Sequence, residues 1–147
     1  MINYRELKKD DFLEFEKIYK EYNNKEINLS YVLEHVYNKT YIALEDNKII
    51  GFIIYALIYD RGELIDIYVN KNYRRMGIAK KLIEIMFDKM RECDNISLEV
   101  RKDNIKAYNL YSKYGFKTVS VREKYYDGID AYLMVKEVNN KWKIRMF

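Results

Sequence analysis

Residues Ile49 to Tyr59 read Ile-Ile-Gly-Phe-Ile-Ile-Tyr-Ala-Leu-Ile-Tyr, the longest apolar run of the chain. It is far short of the roughly 20 residues that a membrane helix needs. A strand apolar on both faces belongs in the middle of a sheet with both sides covered, so this run predicts a central strand. Asp46-Asn47 just before it is a turn-forming pair, and the Tyr41–Leu44 segment ahead of the turn is the expected partner strand.

The remaining periodicities extend the pattern. Ile2–Leu7 reads as a short strand. Phe12, Phe15, Ile18 and Tyr19 recur at helical spacing behind Asp10 or Asp11 as cap, and Leu29–Tyr37 suggests a second helix with Leu29, Val32, Leu33 and Val36 on one face. Glu63–Val69 is another strand, and Gly77–Met90 an amphipathic helix with Ile78, Leu82, Ile85 and Met86 inward. Asn95–Arg101 alternates, with Ile96, Leu98 and Val100 opposite Ser97, Glu99 and Arg101. Asn104–Tyr114 reads as a helix stopped at Gly115. Phe116–Val121 and Ala131–Val138 complete an order β-α-α-β-β-β-α-β-α-β-β, an α/β chain with a mixed sheet.

With no Pro, five Gly and no repeat or linker, the 147 residues are expected to form one domain over 1–138, with a tail over 139–147 of uncertain role. Hydrophobic residues at 49% and charged residues at 34% are those of a folded chain. The net charge of +4 favours an anionic ligand and is too small and too dispersed to argue for nucleic acid. The one cysteine, Cys93, rules out an intramolecular disulfide. It and the one histidine, His35, supply neither a metal cluster nor a Ser-His or Cys-His pair, so no metal is expected. The chain opens without a signal-peptide pattern, and the expected location is cytoplasmic.

The stretch Ile67–Lys80 carries the most chemistry. A strand ends, a short basic turn follows, and a helix begins at a glycine. The first turn of a helix offers unpaired N–H groups and the positive end of the dipole to a diphosphate. Gly77 lets oxygens approach the backbone, Ala79 keeps the next turn slim, and Arg74, Arg75 and Lys80 supply countercharge.

The pattern Arg74-x-x-Gly77-x-Ala79 behind Ile67-Tyr68-Val69 resembles the acetyl-CoA signature of the GCN5-related N-acetyltransferases. Asn104-x-x-Ala107-x-x-Leu110-Tyr111-x-x-x-Gly115-Phe116 resembles the family's second block. Relatives carry Pro where this chain has Lys71, a loss of turn rigidity only. The resemblance implies a mixed, mostly antiparallel sheet flanked by about four helices, with a splayed pair of parallel strands holding acetyl-CoA. Ile67, Tyr68 and Val69 would hold the acetyl-pantetheine arm, Arg74, Arg75, Gly77, Ile78, Ala79 and Lys80 the phosphates, and Asn104 the pantetheine.

Leu98-Glu99-Val100-Arg101, Tyr111, Tyr125-Tyr126 and Asp130-Ala131 look like the ribosomal-protein-alanine N-acetyltransferase subgroup. That implies Glu99 as general base through water, Tyr111 as general acid for the CoA sulfur, and Tyr125, Tyr126 and Asp130 along the acceptor groove. Glu63 and Asp66 are rival bases or substrate-binding carboxylates. By periodicity alone Glu99 is a solvated strand carboxylate and Tyr111 a core residue. The segment Tyr22–Ile27 lacks the Pro-Trp-like element of that subgroup, so the acceptor stays open: a protein N-terminus, such as a ribosomal protein's, or a small amine such as a polyamine, aminosugar or amino acid. A CoA-binding module without catalysis is the non-enzymatic alternative. The expected partners exclude nucleic acid and membrane, and the expected state is a monomer or weak dimer.

Overall fold

The long apolar run forms the strand around which the first part of the chain is built, in a computed structural model that describes residues 1–126 and 128–139. The strands are β1 (Ile2–Glu6), β2 (Asn38–Glu45), β3 (Lys48–Ile58), β4 (Arg61–Val69), β5 (Asn95–Arg101), β6 (Lys117–Tyr126) and β7 (Ile129–Glu137). The α-helices among the described residues are α1 (Phe12–Asn23), α2 (Ile78–Lys89) and α3 (Ile105–Lys113), joined by a π-helical turn over Ser30–Glu34. The chain divides into two compact units, Met1–Leu57 with Leu64–Lys89, and Ile58–Glu63 with the chain from Met90 onward.

In the first unit the strand order is β1-β2-β3-β4. β1 and β3 both pair antiparallel with β2. The β2–β3 turn has Asp46 at φ 50° and Asn47 at φ 64°, the left-handed pair that a two-residue hairpin turn needs and that Asp and Asn tolerate. Phe15 of α1 meets Phe52 of β3 edge-on at 4.9 Å, within a core of Leu7, Ile27, Val32, Ile42, Leu44 and Ile54. Glu14 of α1 accepts a hydrogen bond of 2.8 Å from the Ile49 N–H, which pins the helix to the start of β3. A Cβ on Gly51 would stand 2.8 Å from the Tyr68 carbonyl oxygen, so only glycine lets β3 approach the end of β4 this closely.

In the second unit the order is β4-β5-β7-β6. Arg61–Glu63 of β4 pair parallel with Asn95–Ser97 of β5, and the ladder ends there. β7 is antiparallel to both β5 and β6. The architecture is thus the expected mixed, mostly antiparallel one, with β4 and β5 as a parallel pair.

Three expectations change in detail. The helix expected over Leu29–Tyr37 is only the five-residue turn Ser30–Glu34. His35 is already extended at φ −72°, ψ 134°, because Asn38–Thr40 are drawn into pairing with Ile54–Ala56 of β3. Neither Asp10 nor Asp11 caps α1 with its side chain. Asp11 turns back, accepting 2.8 Å from the Lys8 N–H and a two-pronged pair from Arg5 at 2.7 and 2.9 Å. In α2 it is Ile83, not Ile85, that joins Ile78, Leu82 and Met86 in full burial.

Candidate functional site

The basic turn after β4 is held by its own side chains. Asn70 accepts from the Asn72 N–H at 2.9 Å, and the Tyr73 N–H donates to the Asn70 carbonyl at 2.8 Å, closing a 3-10 turn over Lys71–Tyr73. The side chain of Asn70 thus stiffens the turn that carries Lys71. The Tyr73 hydroxyl donates to Glu45 at 3.2 Å, and the charge of Glu45 holds that phenol above its ordinary range. Arg74 Nε donates to the Val69 carbonyl at 3.3 Å.

Beyond Arg74 the backbone turns left-handed twice, at Arg75 (φ 65°) and Gly77 (φ 78°). The Gly77 carbonyl accepts the first helical bond of α2 from Lys81 at 3.0 Å. Helix geometry therefore leaves the N–H groups of Ile78, Ala79 and Lys80 without intrahelical acceptors. A Cβ on Gly77 would meet nothing within 4 Å. Arg74, Arg75 and Lys80 around this helix start are exposed. Left-handed residues preceding a helix start form a concave array of N–H groups, which fits a diphosphate.

At the end of β4, the Ile67 N–H donates to Asp66 at 2.9 Å, and the Ile67 carbonyl accepts from the Tyr22 hydroxyl at 3.3 Å. Both backbone groups of Ile67, one of the three residues Ile67–Val69 expected along the cofactor arm, are thus engaged. The other oxygen of Asp66 accepts from Asn23 Nδ2 at 2.9 Å. Burial pushes the Asp66 carboxyl up, opposed by the hydrogen bonds from Asn23 and Ile67. Asp66 therefore fastens the end of α1 to β4. Tyr22 packs against Tyr68 with the rings 4.7 Å apart and tilted by 46°, and burial, then the Asp66 charge, push its hydroxyl up to about 12. No pattern in the sequence singles out Tyr22 and Asn23 for this role.

In the second unit β5 alternates as expected. Ile96, Leu98 and Val100 are buried, and Ser97, Glu99 and Arg101 are half-buried on the other face. Helix α3 lies on the Val100 face: Tyr108 meets Tyr132 at 5.2 Å, and Tyr132 is the register partner of Val100. Asn104 is the N-cap of α3, its Oδ1 accepting 3.1 Å from the Ala107 N–H, a bond that uses only the amide's oxygen. Gly115 follows the helix at φ 95°, and the Phe116 N–H returns to the Tyr111 carbonyl at 3.1 Å. Tyr111 is buried, with its ring 6.0 Å from that of Phe116. Glu99 and the helix that carries Tyr111 thus belong to opposite faces of the sheet.

Glu99 Oε1 lies 3.2 Å from Arg122 Nε, and its Oε2 is buried without a hydrogen-bond partner among the described residues. Desolvation first, then the charge of Glu99, push the Glu63 carboxyl up. Arg122 is a contact that no spacing rule reveals, since it comes from a strand two places away in the sheet. Asp130, expected along an acceptor groove, accepts 2.9 Å from the Lys124 N–H and so closes the β6–β7 hairpin. The side chains of Tyr125 and Tyr126, and the tail from 140, lie outside the described residues. Among the described residues no group of three or more acidic, His or Cys side chains is arranged to hold a metal. No described helix is long and apolar enough to cross a membrane.

Comparison with known proteins places these features. The profile of the acetyltransferase (GNAT) family matches residues 3–116. An N-alpha-acetyltransferase of Sulfurisphaera tokodaii is 36% identical over 110 residues, 64% of this chain and 66% of the relative, so the chain spans about two thirds of that protein's length. The ribosomal protein bS18-alanine N-acetyltransferase of Escherichia coli is 32% identical over 89 residues, 59% of this chain and 60% of the relative. Its crystal structure superposes with a TM-score of 0.83 at 24% identity, covering 95% of both chains. The NatC complex bound to Gag peptide and CoA contains a chain with a TM-score of 0.78 at 30% identity, covering 94% of this chain and 99% of that one. With the profile covering more than half its length and the strand–turn–helix cradle in place, this chain belongs to the acetyltransferase (GNAT) family.

Proposed function

We propose that the chain transfers the acetyl group of acetyl-CoA to the α-amine of a protein N-terminus, by direct attack on the thioester. Acetyl-CoA supplies an acyl group already activated for transfer. The amides of Ile78, Ala79 and Lys80, with Arg74, Arg75 and Gly77, hold its diphosphate. Tyr68, Val69 and Asn104 serve the pantetheine arm. Glu99, through a water molecule, removes a proton from the acceptor ammonium, whose ordinary pKa near 8 leaves it mostly charged at neutral pH. Tyr111 donates a proton to the departing sulfur. Tyr125 and Tyr126 contact the acceptor, and the compartment is the cytoplasm.

The observation that carries this reading is the placement of acid and base on opposite faces of one sheet. In a direct transfer the amine adds to the carbonyl and the thiolate is expelled from the tetrahedral adduct, so one group must take a proton from the amine and another must give one to the sulfur. The N-alpha- and ribosomal-protein-alanine acetyltransferases among the relatives support a peptide acceptor. The engagement of Asp66 with Asn23 weighs against a Glu63–Asp66 site for a small cation.

The test is acetyl-CoA turnover against N-terminal peptides, including an alanine-initiated ribosomal sequence, beside a panel of polyamines, aminosugars and amino acids. Turnover on peptides is expected. Fast turnover on small amines with none on peptides would reverse the acceptor assignment.

A further inference from the structure

Glu99 and Glu63 stand close enough for the charge of Glu99 to push the Glu63 carboxyl up. The register explains why. Glu63 pairs with Ser97, and Ser97, Glu99 and Arg101 share one face of β5. On the same face β7 contributes Leu133 opposite Glu99 and Ala131 opposite Arg101, neither of them charged. Beyond β7, Arg122 of β6 is the register partner of Ala131 and reaches back across that apolar row to Glu99 Oε1. Arg101 is bound two-pronged to Asp103, at 3.0 and 2.9 Å. Among the described residues the charged groups on this face around Glu99 are Glu63 on β4, Arg101 with its Asp103, and Arg122 on β6, with Lys117 of β6 and Glu137 of β7 farther along it, at the Val135 and Asn95 register positions. Arg122 is the cation that touches the carboxylate.

The two oxygens of Glu99 differ. Oε1 has the guanidinium. Oε2 is buried and has no hydrogen-bond partner among the described residues. We propose that Arg122 is a positioning residue for the acetyl transfer: by holding Oε1 it fixes the orientation of the Glu99 carboxylate that receives the proton from the acceptor amine. This rests on Glu99 as the base. No bond other than N–H is broken in the step; the proton passes from the acceptor ammonium over one water to the Glu99 carboxylate, and the guanidinium keeps its own protons throughout.

A guanidinium at this place removes rotational freedom from the base, which acts on kcat.

The experiment compares R122Q, R122K and E99Q with the parent enzyme, using the best acceptor from the panel above and reading kcat separately from the KM of each substrate. R122Q is expected to lower kcat about tenfold, with the KM for acetyl-CoA within about twofold. R122K, which restores a cation, is expected to recover part of kcat. If R122Q keeps the kcat of the parent while E99Q is inactive, the role of Arg122 is overturned and Glu99 stands. Equal losses in R122Q and R122K, or a loss that appears in KM rather than kcat, mark a purely structural contact and also overturn it. An E99Q enzyme with parental activity removes the base assignment itself.

Discussion

The phosphate cradle and the carboxylate face solve different problems with different materials. The cradle is local: eleven consecutive residues, Asn70 to Lys80, in which a side-chain cap, two left-handed backbone positions and a helix start present N–H groups to an anion. Its chemistry is mainly backbone chemistry. The carboxylate face is assembled from β4, β5, β6 and β7, and its working atoms are side-chain oxygens whose state depends on neighbours from other strands. A site made of backbone is sensitive to conformation; a site made of side chains is sensitive to single functional groups.

Glu99→Gln is the severest challenge to the second half of that contrast. It keeps the shape and removes the base, and kcat should fall about 100- to 1,000-fold with acetyl-CoA affinity unchanged, as read by steady-state kinetics and calorimetric titration. Gly77→Val challenges the first half. It forces a branched side chain into a left-handed backbone and fills space now open, so CoA affinity should drop on the order of 30-fold by the same titration, whereas an activity loss at unchanged affinity would show that the cradle is elsewhere. Tyr111→Phe should lower kcat about tenfold with little change in either KM; full activity would return Tyr111 to a purely packing role.

The smallest effect concerns the Arg5–Asp11 pair, outside both regions. The hydrogen bonds from Arg5, more than those from the backbone, hold the Asp11 carboxyl below its ordinary range. A lowered carboxyl adds stability above the unfolded value near 3.9, and that contribution is lost as pH falls through the folded value. Arg5 is more than a third exposed, so after solvent screening Asp11→Asn should cost about 0.5–1 kcal/mol in urea melts at pH 7 and nothing near pH 2. A cost that persisted at pH 2 would assign the effect to packing rather than charge.

What could be read directly from the residues was whatever depends on near neighbours. The two-sided apolar run had to be an inner strand. The Asp46-Asn47 pair had to turn, Gly115 had to end a helix, and the basic turn before Gly77 had to offer bare amides, because periodicity, left-handed φ and unpaired first-turn N–H groups are all set within a few positions. Tertiary pairing decided the rest. The claim of β3 on Asn38–Thr40 stopped a helix that the apolar spacing of 29–37 had suggested, Arg5 drew Asp11 away from capping α1, and Asn23 drew Asp66 into anchoring β4. The meeting of Arg122 with Glu99 over an apolar row follows from strand order and register alone, and those are fixed only when distant segments compete for the same edges, a free energy that no local window of sequence contains.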